Sequence, residues 1–88
     1  EIAGMLTLVI YRVPTGIRSI IEDIVVDENH RNKGIAKALM TRAIELAREA
    51  GADNVSLTSN PSREAANLLY RSMGFQHRET NLYILHLK

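Results

Sequence analysis

The chain has 88 residues, 45% of them hydrophobic and 24% charged, with a formal net charge of +1. This is the composition of one small soluble globular domain, and it excludes a disordered acidic tail, an apolar run of roughly 20 residues that could span a membrane, and a basic nucleic-acid arm. Cysteine is absent, which removes disulfides, thiolate metal sites and a cysteine nucleophile from this chain and agrees with a cytoplasmic protein.

Met5 to Val13 reads MLTLVIYRV, a run rich in β-branched and aliphatic residues. Leu6, Leu8 and Ile10 share one face and Thr7, Val9, Tyr11 and Val13 the other, so this strand expects cover on both sides. Pro14-Thr15-Gly16 is a turn signal, and Ile17 to Val26 (IRSIIEDIVV) completes an antiparallel hairpin. Simple alternation points Ile20, Glu22, Ile24 and Val26 one way and Ile21, Asp23 and Val25 the other. A polar loop, Asp27 to Lys33, leads to Gly34 and then a helical pattern in which Ile35, Leu39, Ala43, Leu46 and Ala50 share one face. Gly51 supplies its stop. Asn54 to Ser59 reads as a short strand. Asn60-Pro61-Ser62 offers caps for a second helix to about Met73, with Ala66, Leu69, Tyr70 and Met73 as its apolar stripe and Gly74 at its end. Phe75 to His77 and Leu82 to Leu87 read as two closing strands. The order β-β-α-β-α-β-β predicts a single α/β domain over residues 1–88, with a mixed α+β sheet that has antiparallel ends and parallel crossovers.

The segment from Val25 to Ala36 carries the strongest chemical signal. An apolar strand runs through a polar turn directly into a helix. A helix start carries unpaired N–H groups and the positive end of the dipole, a natural phosphate site. Gly34 removes the Cβ from the approach, Ala36 keeps the next position small, and Arg31 and Lys33 add positive charge. The plain alternative is a solvated loop ended by glycine.

Arg31, Gly34 and Ala36 match the three defining positions of [QR]-x-x-G-x-[GA], and the segment resembles motif A of the GNAT N-acetyltransferase superfamily. A second segment, Ala66 to Phe75, resembles the A-x-x-x-Y-x-x-x-G-F signature of the same family. The resemblance implies that Arg31, Asn32, Lys33, Gly34, Ile35 and Ala36 hold the pyrophosphate of acetyl-coenzyme A. It implies that the main chain of Ile24 and Val26 binds the pantetheine arm. Arg63 stands where many members have asparagine, within reach of the cofactor phosphates. Tyr70 matches the tyrosine that serves as general acid for the departing thiolate; a phenol carries its proton at neutral pH and can donate it. Without the resemblance, Tyr70 reads as a core aromatic with its hydroxyl at the rim. Glu22 is a carboxylate in a strand of Ile and Val, an anomaly on propensity grounds. It matches the position where several members place a general base, while its plain reading is a salt bridge to Arg12 or Arg18 across the hairpin.

The expected activity is therefore acetyl transfer from acetyl-coenzyme A to a primary amine, by direct attack in a ternary complex, with a small-molecule or peptide amine as partner and neither nucleic acid nor membrane. The alternative is a non-catalytic acyl-coenzyme A-binding module, or a truncated family fragment acting as an interaction domain. His30, His77 and His86 lack metal-ligand spacing, and no metal is expected. The resemblance also implies that the usual N-terminal strand-helix-helix-strand is missing from this chain. That leaves Met5–Val13 as a sheet edge open to a second copy or a partner segment.

Overall fold

The computed structural model describes residues 4–27, 34–59, 63–79, 81 and 83–88. Its contacts divide the chain into two compact units, Glu1–Thr58 and Ser59–Lys88.

In the first unit, strands β1 (Gly4–Val13) and β2 (Gly16–Val26) form an antiparallel hairpin. Val13 pairs with Gly16, so Pro14-Thr15 is a two-residue connection, and it sets the register as far as Thr7 opposite Glu22. Helix α1 (Ile35–Glu49) follows, then β3 (Val55–Leu57). The sheet order is β1-β2-β3, with β3 parallel to β2, and a parallel pairing needs a crossover such as α1. β3 is shorter than the Asn54 to Ser59 run predicts. It is tied to β2 by Ser19 as well as by the ladder: Ser19 Oγ donates to the Asn54 carbonyl at 2.7 Å, and Ser56 Oγ donates to the Ser19 carbonyl at 3.3 Å. Ser19 is buried, and these bonds satisfy the polar groups that burial would otherwise leave unpaired.

The core of this unit is Ile21, Met40, Ala43 and Ala47. The buried helix face is thus rotated by about one residue from the expected one: Ala43 lies on it, but Leu46 and Ala50 are exposed. Alanines at 43 and 47 present little bulk, which allows a helix to lie close to a sheet. Met40, fully buried, fills the remaining space with an unbranched, adaptable side chain. Truncating it to alanine would cost about 2–5 kcal/mol.

β2 carries a correction to simple alternation. Met5 pairs with Val25 and Thr7 with Glu22, so Asp23 and Ile24 together oppose Leu6. That is a β-bulge, one extra residue on β2. Asp23 sits at φ 54, the only positive φ at a non-glycine residue among those described; aspartate tolerates this region better than most side chains. The bulge shifts the phase of the strand. Before it the less exposed residues are Ile17, Ser19 and Ile21; after it they are Ile24 and Val26. Glu22 therefore does not share a face with Ile24 and Val26. It shares one with Thr7, Met5 and Val25.

In the second unit, α2 spans Glu64–Ser72. The predicted stripe holds, with Tyr70 buried and Ala66, Leu69 and Met73 half-buried. The two closing strands predicted at Phe75 to His77 and Leu82 to Leu87 do not form among the described residues, and Leu82 lies outside them. An alternating apolar sequence supplies a preference for extended chain, but a strand exists only where another backbone pairs with it. Here Tyr83, Leu85 and Leu87 are 83–88% exposed, with no ladder to order them. No described helix is long and apolar enough to cross a membrane.

Candidate active site

The start of α1 lies at the C-terminal end of β2. Gly4 is the partner of Val26, and a Cβ built on Gly4 would stand 3.0 Å from Ile35 Cγ2 and 3.3 Å from Leu39 Cδ1. Strand end and helix start therefore pack directly on one another. Gly34 precedes the first helical residue at φ 73, a conformation that glycine adopts without the Cβ penalty. Its carbonyl accepts from the Ala38 N–H at 3.0 Å. Gly34 has no side chain with which to cap this helix, and the first turn holds no acidic residue. The first N–H groups of a helix and the positive end of its dipole attract an anion. Among the described residues, a Cβ built on Gly34 would meet nothing within 4 Å. Ile35 and Ala36 are half-buried in the first turn. Arg31, Asn32 and Lys33 lie outside the described residues.

Beside this helix start, β2 offers main chain. The ladder to β3 involves only Ser19, Ile20 and Ile21. From Glu22 to Val26 the strand continues, paired with β1 on one side but past the end of the β3 ladder on the other. A bulge bends its strand and strengthens the local twist, and this one falls where the β3 ladder stops. Ile24 and Val26 both lie in the stretch that results. An extended ligand laid along it would find strand main chain to pair with.

Glu22 is exposed, opposite Thr7. The expected alternative, an ion pair with Arg12 or Arg18, does not occur among the described residues: Arg12 stands opposite Ile17, Arg18 stands opposite Tyr11, and the Arg18 guanidinium reaches Thr15 Oγ1 at 3.5 Å. The carboxylate is therefore not committed to a structural partner.

Tyr70 is held by the way α2 ends. Phe75 N–H donates to the Tyr70 carbonyl at 3.0 Å and Gly74 N–H to the Arg71 carbonyl at 3.0 Å. Gly74 is at φ 98. This is a Schellman stop, in which the residue after the glycine packs on the residue three positions before the cap. Here that contact is Phe75 edge-on to Tyr70, centroids 6.2 Å apart at 64°. The Y-x-x-x-G-F spacing therefore has a physical meaning of its own: glycine turns the chain, and phenylalanine returns to fix the tyrosine ring. Arg63 precedes α2, exposed, and its carbonyl accepts from both the main-chain N–H and the side-chain Nδ2 of Asn67 at 3.0 and 2.9 Å. Its guanidinium is at the surface. Glu22 and the helix start belong to the first unit, and Tyr70 and Arg63 to the second. The bulge, which no glycine or proline announces, is the functional feature that alternation misses. A positive-φ-tolerant aspartate inside a strand is its only sequence trace.

Among the described residues no three His, Asp or Glu side chains come together in a way that could hold a metal ion.

Residues 1–75 match the family model described as acetyltransferase (GNAT) family. Human N-acetyltransferase 8 is 43% identical over 51 residues, 58% of this chain and 22% of the relative. Streptothricin acetyltransferase of Streptomyces lavendulae is 45% identical over 58 residues, 66% of this chain and 31% of the relative. The chain thus spans about a fifth to a third of the length of these two relatives. Among solved structures, an acetyltransferase of Trypanosoma brucei superposes with a TM-score of 0.85 at 29% identity, over 96% of this chain and 59% of that one. A chain of the NatC complex bound to Gag peptide and CoA superposes with a TM-score of 0.83 at 27% identity, over 88% of this chain and 49% of that one.

Proposed function

The chain belongs to the acetyltransferase (GNAT) family, and from that premise we propose that it binds acetyl-coenzyme A and passes the acetyl group to a primary amine by direct attack in a ternary complex. The observation that carries this reading is the start of α1 at Gly34, where no described atom lies within 4 Å of the Cβ position, beside a stretch of β2 that has outrun its β3 ladder. A helix N-terminus and an extended main-chain edge meet there, which suits a ligand with a pyrophosphate at one end and an amide-bearing arm at the other.

In this reading Gly34, Ile35 and Ala36 meet the pyrophosphate with main-chain N–H groups, with Arg31, Asn32 and Lys33 beside them by their place in the motif. The main chain of Ile24 and Val26 orients the pantetheine arm, and Arg63 adds charge toward the phosphates. Bound acetyl-coenzyme A supplies an activated acyl thioester. Glu22 accepts a proton from the substrate ammonium, directly or through water, so that the nitrogen lone pair is free to attack. Tyr70 donates its Oη proton to the leaving thiolate. With no cysteine in the sequence, no cysteine of this chain can carry an acyl-enzyme. As an edge of the described sheet, β1 is also the strand through which a second copy or a partner segment would add.

Two measurements on the same preparation test the reading. Calorimetry with coenzyme A reports the cofactor site, and thiol release from acetyl-coenzyme A over a panel of primary amines reports transfer. Binding with turnover supports the enzyme; binding with no amine accepted identifies an acyl-coenzyme A-binding module; no binding overturns both.

A further inference from the structure

We propose that the sheet face turned away from α1 receives an apolar group attached to the substrate nitrogen, so that the chain prefers amines on an apolar carrier to polycationic ones; this rests on the reading of Glu22 as the proton acceptor.

The pairing register defines this face. Residues directly opposite one another in an antiparallel ladder share a side of the sheet. Thr7 with Glu22, and Met5 with Val25, therefore stand on one face, with Val9 and Tyr11 continuing it along β1. Gly4, one residue before Met5, turns the other way, toward Ile35 and Leu39 of α1. Were β2 a plain strand, Glu22 and Val25 would lie on opposite sides; the bulge brings them together. Met5 and Val25 are 52% and 55% exposed, Val9 and Tyr11 39% and 43%. The exposed carboxylate of Glu22 thus stands beside exposed apolar side chains.

The charge on this surface selects its occupant. A primary ammonium finds its counter-charge in Glu22, and whatever is attached to it lies on Met5, Val25 or Val9. An alkyl or aryl group there removes apolar area from water, which favours its binding. A second ammonium over Met5, Val25 or Val9 would lose hydration against aliphatic side chains. At the far end of the face it would approach Arg18, which pairs with Tyr11 and carries a like charge.

The test compares hexylamine with 1,6-diaminohexane, equal in reach and different in one terminal group. With acetyl-coenzyme A, kcat/KM for hexylamine is expected to exceed that for the diamine by about tenfold or more, mostly through KM. Val25→Glu, at an exposed position, should swing that ratio toward the diamine by a similar factor, and Val25→Thr should lower the hexylamine rate without favouring the diamine. Circular dichroism melts confirm that both variants fold. Equal rates for the two amines, preference for the diamine, or a ratio unmoved by Val25→Glu would overturn the proposal. Should neither amine be acetylated, the transfer reading fails and amide chemical shifts recorded with coenzyme A present decide the binding preference alone. Stronger perturbation of Met5, Thr7, Glu22 and Val25 by hexylamine than by the diamine supports it, and equal, reversed or absent perturbation overturns it.

Discussion

Gly34 offers a substitution series in which damage to the fold and damage to the site separate. Among the described residues a Cβ at this position would meet nothing within 4 Å, so alanine meets no clash with them. Its penalty comes from φ 73 alone, about 1–2 kcal/mol for a left-handed residue with a side chain. For a domain of this size each kcal/mol lowers the melting temperature by about 4–8 °C. Gly34→Ala should show that loss, and Gly34→Asn a smaller one, because asparagine tolerates this region. Gly34→Glu pays the same backbone penalty but sets a carboxylate at the positive end of α1, which returns about 0.3–1 kcal/mol. It should therefore melt no lower than the alanine variant. Its coenzyme A binding should nevertheless be abolished, since a negative side chain then fills the phosphate site. Thermal melts and calorimetric titration with coenzyme A read the two effects independently. A Gly34→Glu protein that folds and binds coenzyme A like the parent refutes the site, and an alanine variant that melts like the parent refutes the backbone argument.

Tyr70→Phe keeps the ring that packs on Phe75 and removes only the hydroxyl; turnover should fall on the order of 10²–10⁴-fold with melting temperature and coenzyme A affinity nearly unchanged, and parental turnover would return Tyr70 to a purely structural role. Glu22→Gln, at an exposed site with no ion pair to break, should leave stability within about 0.5 kcal/mol and cut the rate most where the amine substrate is protonated; a flat ratio of variant to parent rates across pH would remove Glu22 as the proton acceptor. Val9→Lys places a charge at the middle of β1, and sedimentation over a concentration series should show the variant more monomeric than the parent; indifference to the lysine would show that β1 is not a pairing edge.

Much of this fold is legible in the residues. The two-residue Pro14-Thr15 turn, the aliphatic runs beside it and the glycines at 51 and 74 act locally, so the hairpin and both helix ends follow from short-range chemistry. The stripe on α2 follows for the same reason, since Tyr70 and Met73 are large and Ala66 lies one turn away. Features set by tertiary packing were less visible. The helix face of α1 depends on which side chains are small enough to approach Ser19 and Ile21, and periodicity alone gave Leu46 the weight that belongs to Ala47. The phase change at Asp23 depends on pairing with β1, which no window on β2 contains. The C-terminal residues have strand composition, yet composition supplies no ladder partner. Of the site, the motif names its members by residue type, whereas the face on which Glu22 stands could be read only once the ladder was known.

The bulge also says what the sheet would do with a chain one residue shorter. Without Asp23, Ile24 would fall opposite Leu6, Val25 would remain with Met5 and Val26 with Gly4, and the hairpin would close as an uninterrupted ladder. Every side chain of β2 would keep its present side, and a left-handed residue costing on the order of 1 kcal/mol would be gone. A single-residue deletion almost anywhere else in the strand would reverse the side chains beyond it. At Asp23 it would leave the hydrophobic core in order and straighten the strand where it now runs past β3. The deletion the sheet tolerates most readily is thus the one that would reshape the stretch of β2 beyond its β3 ladder.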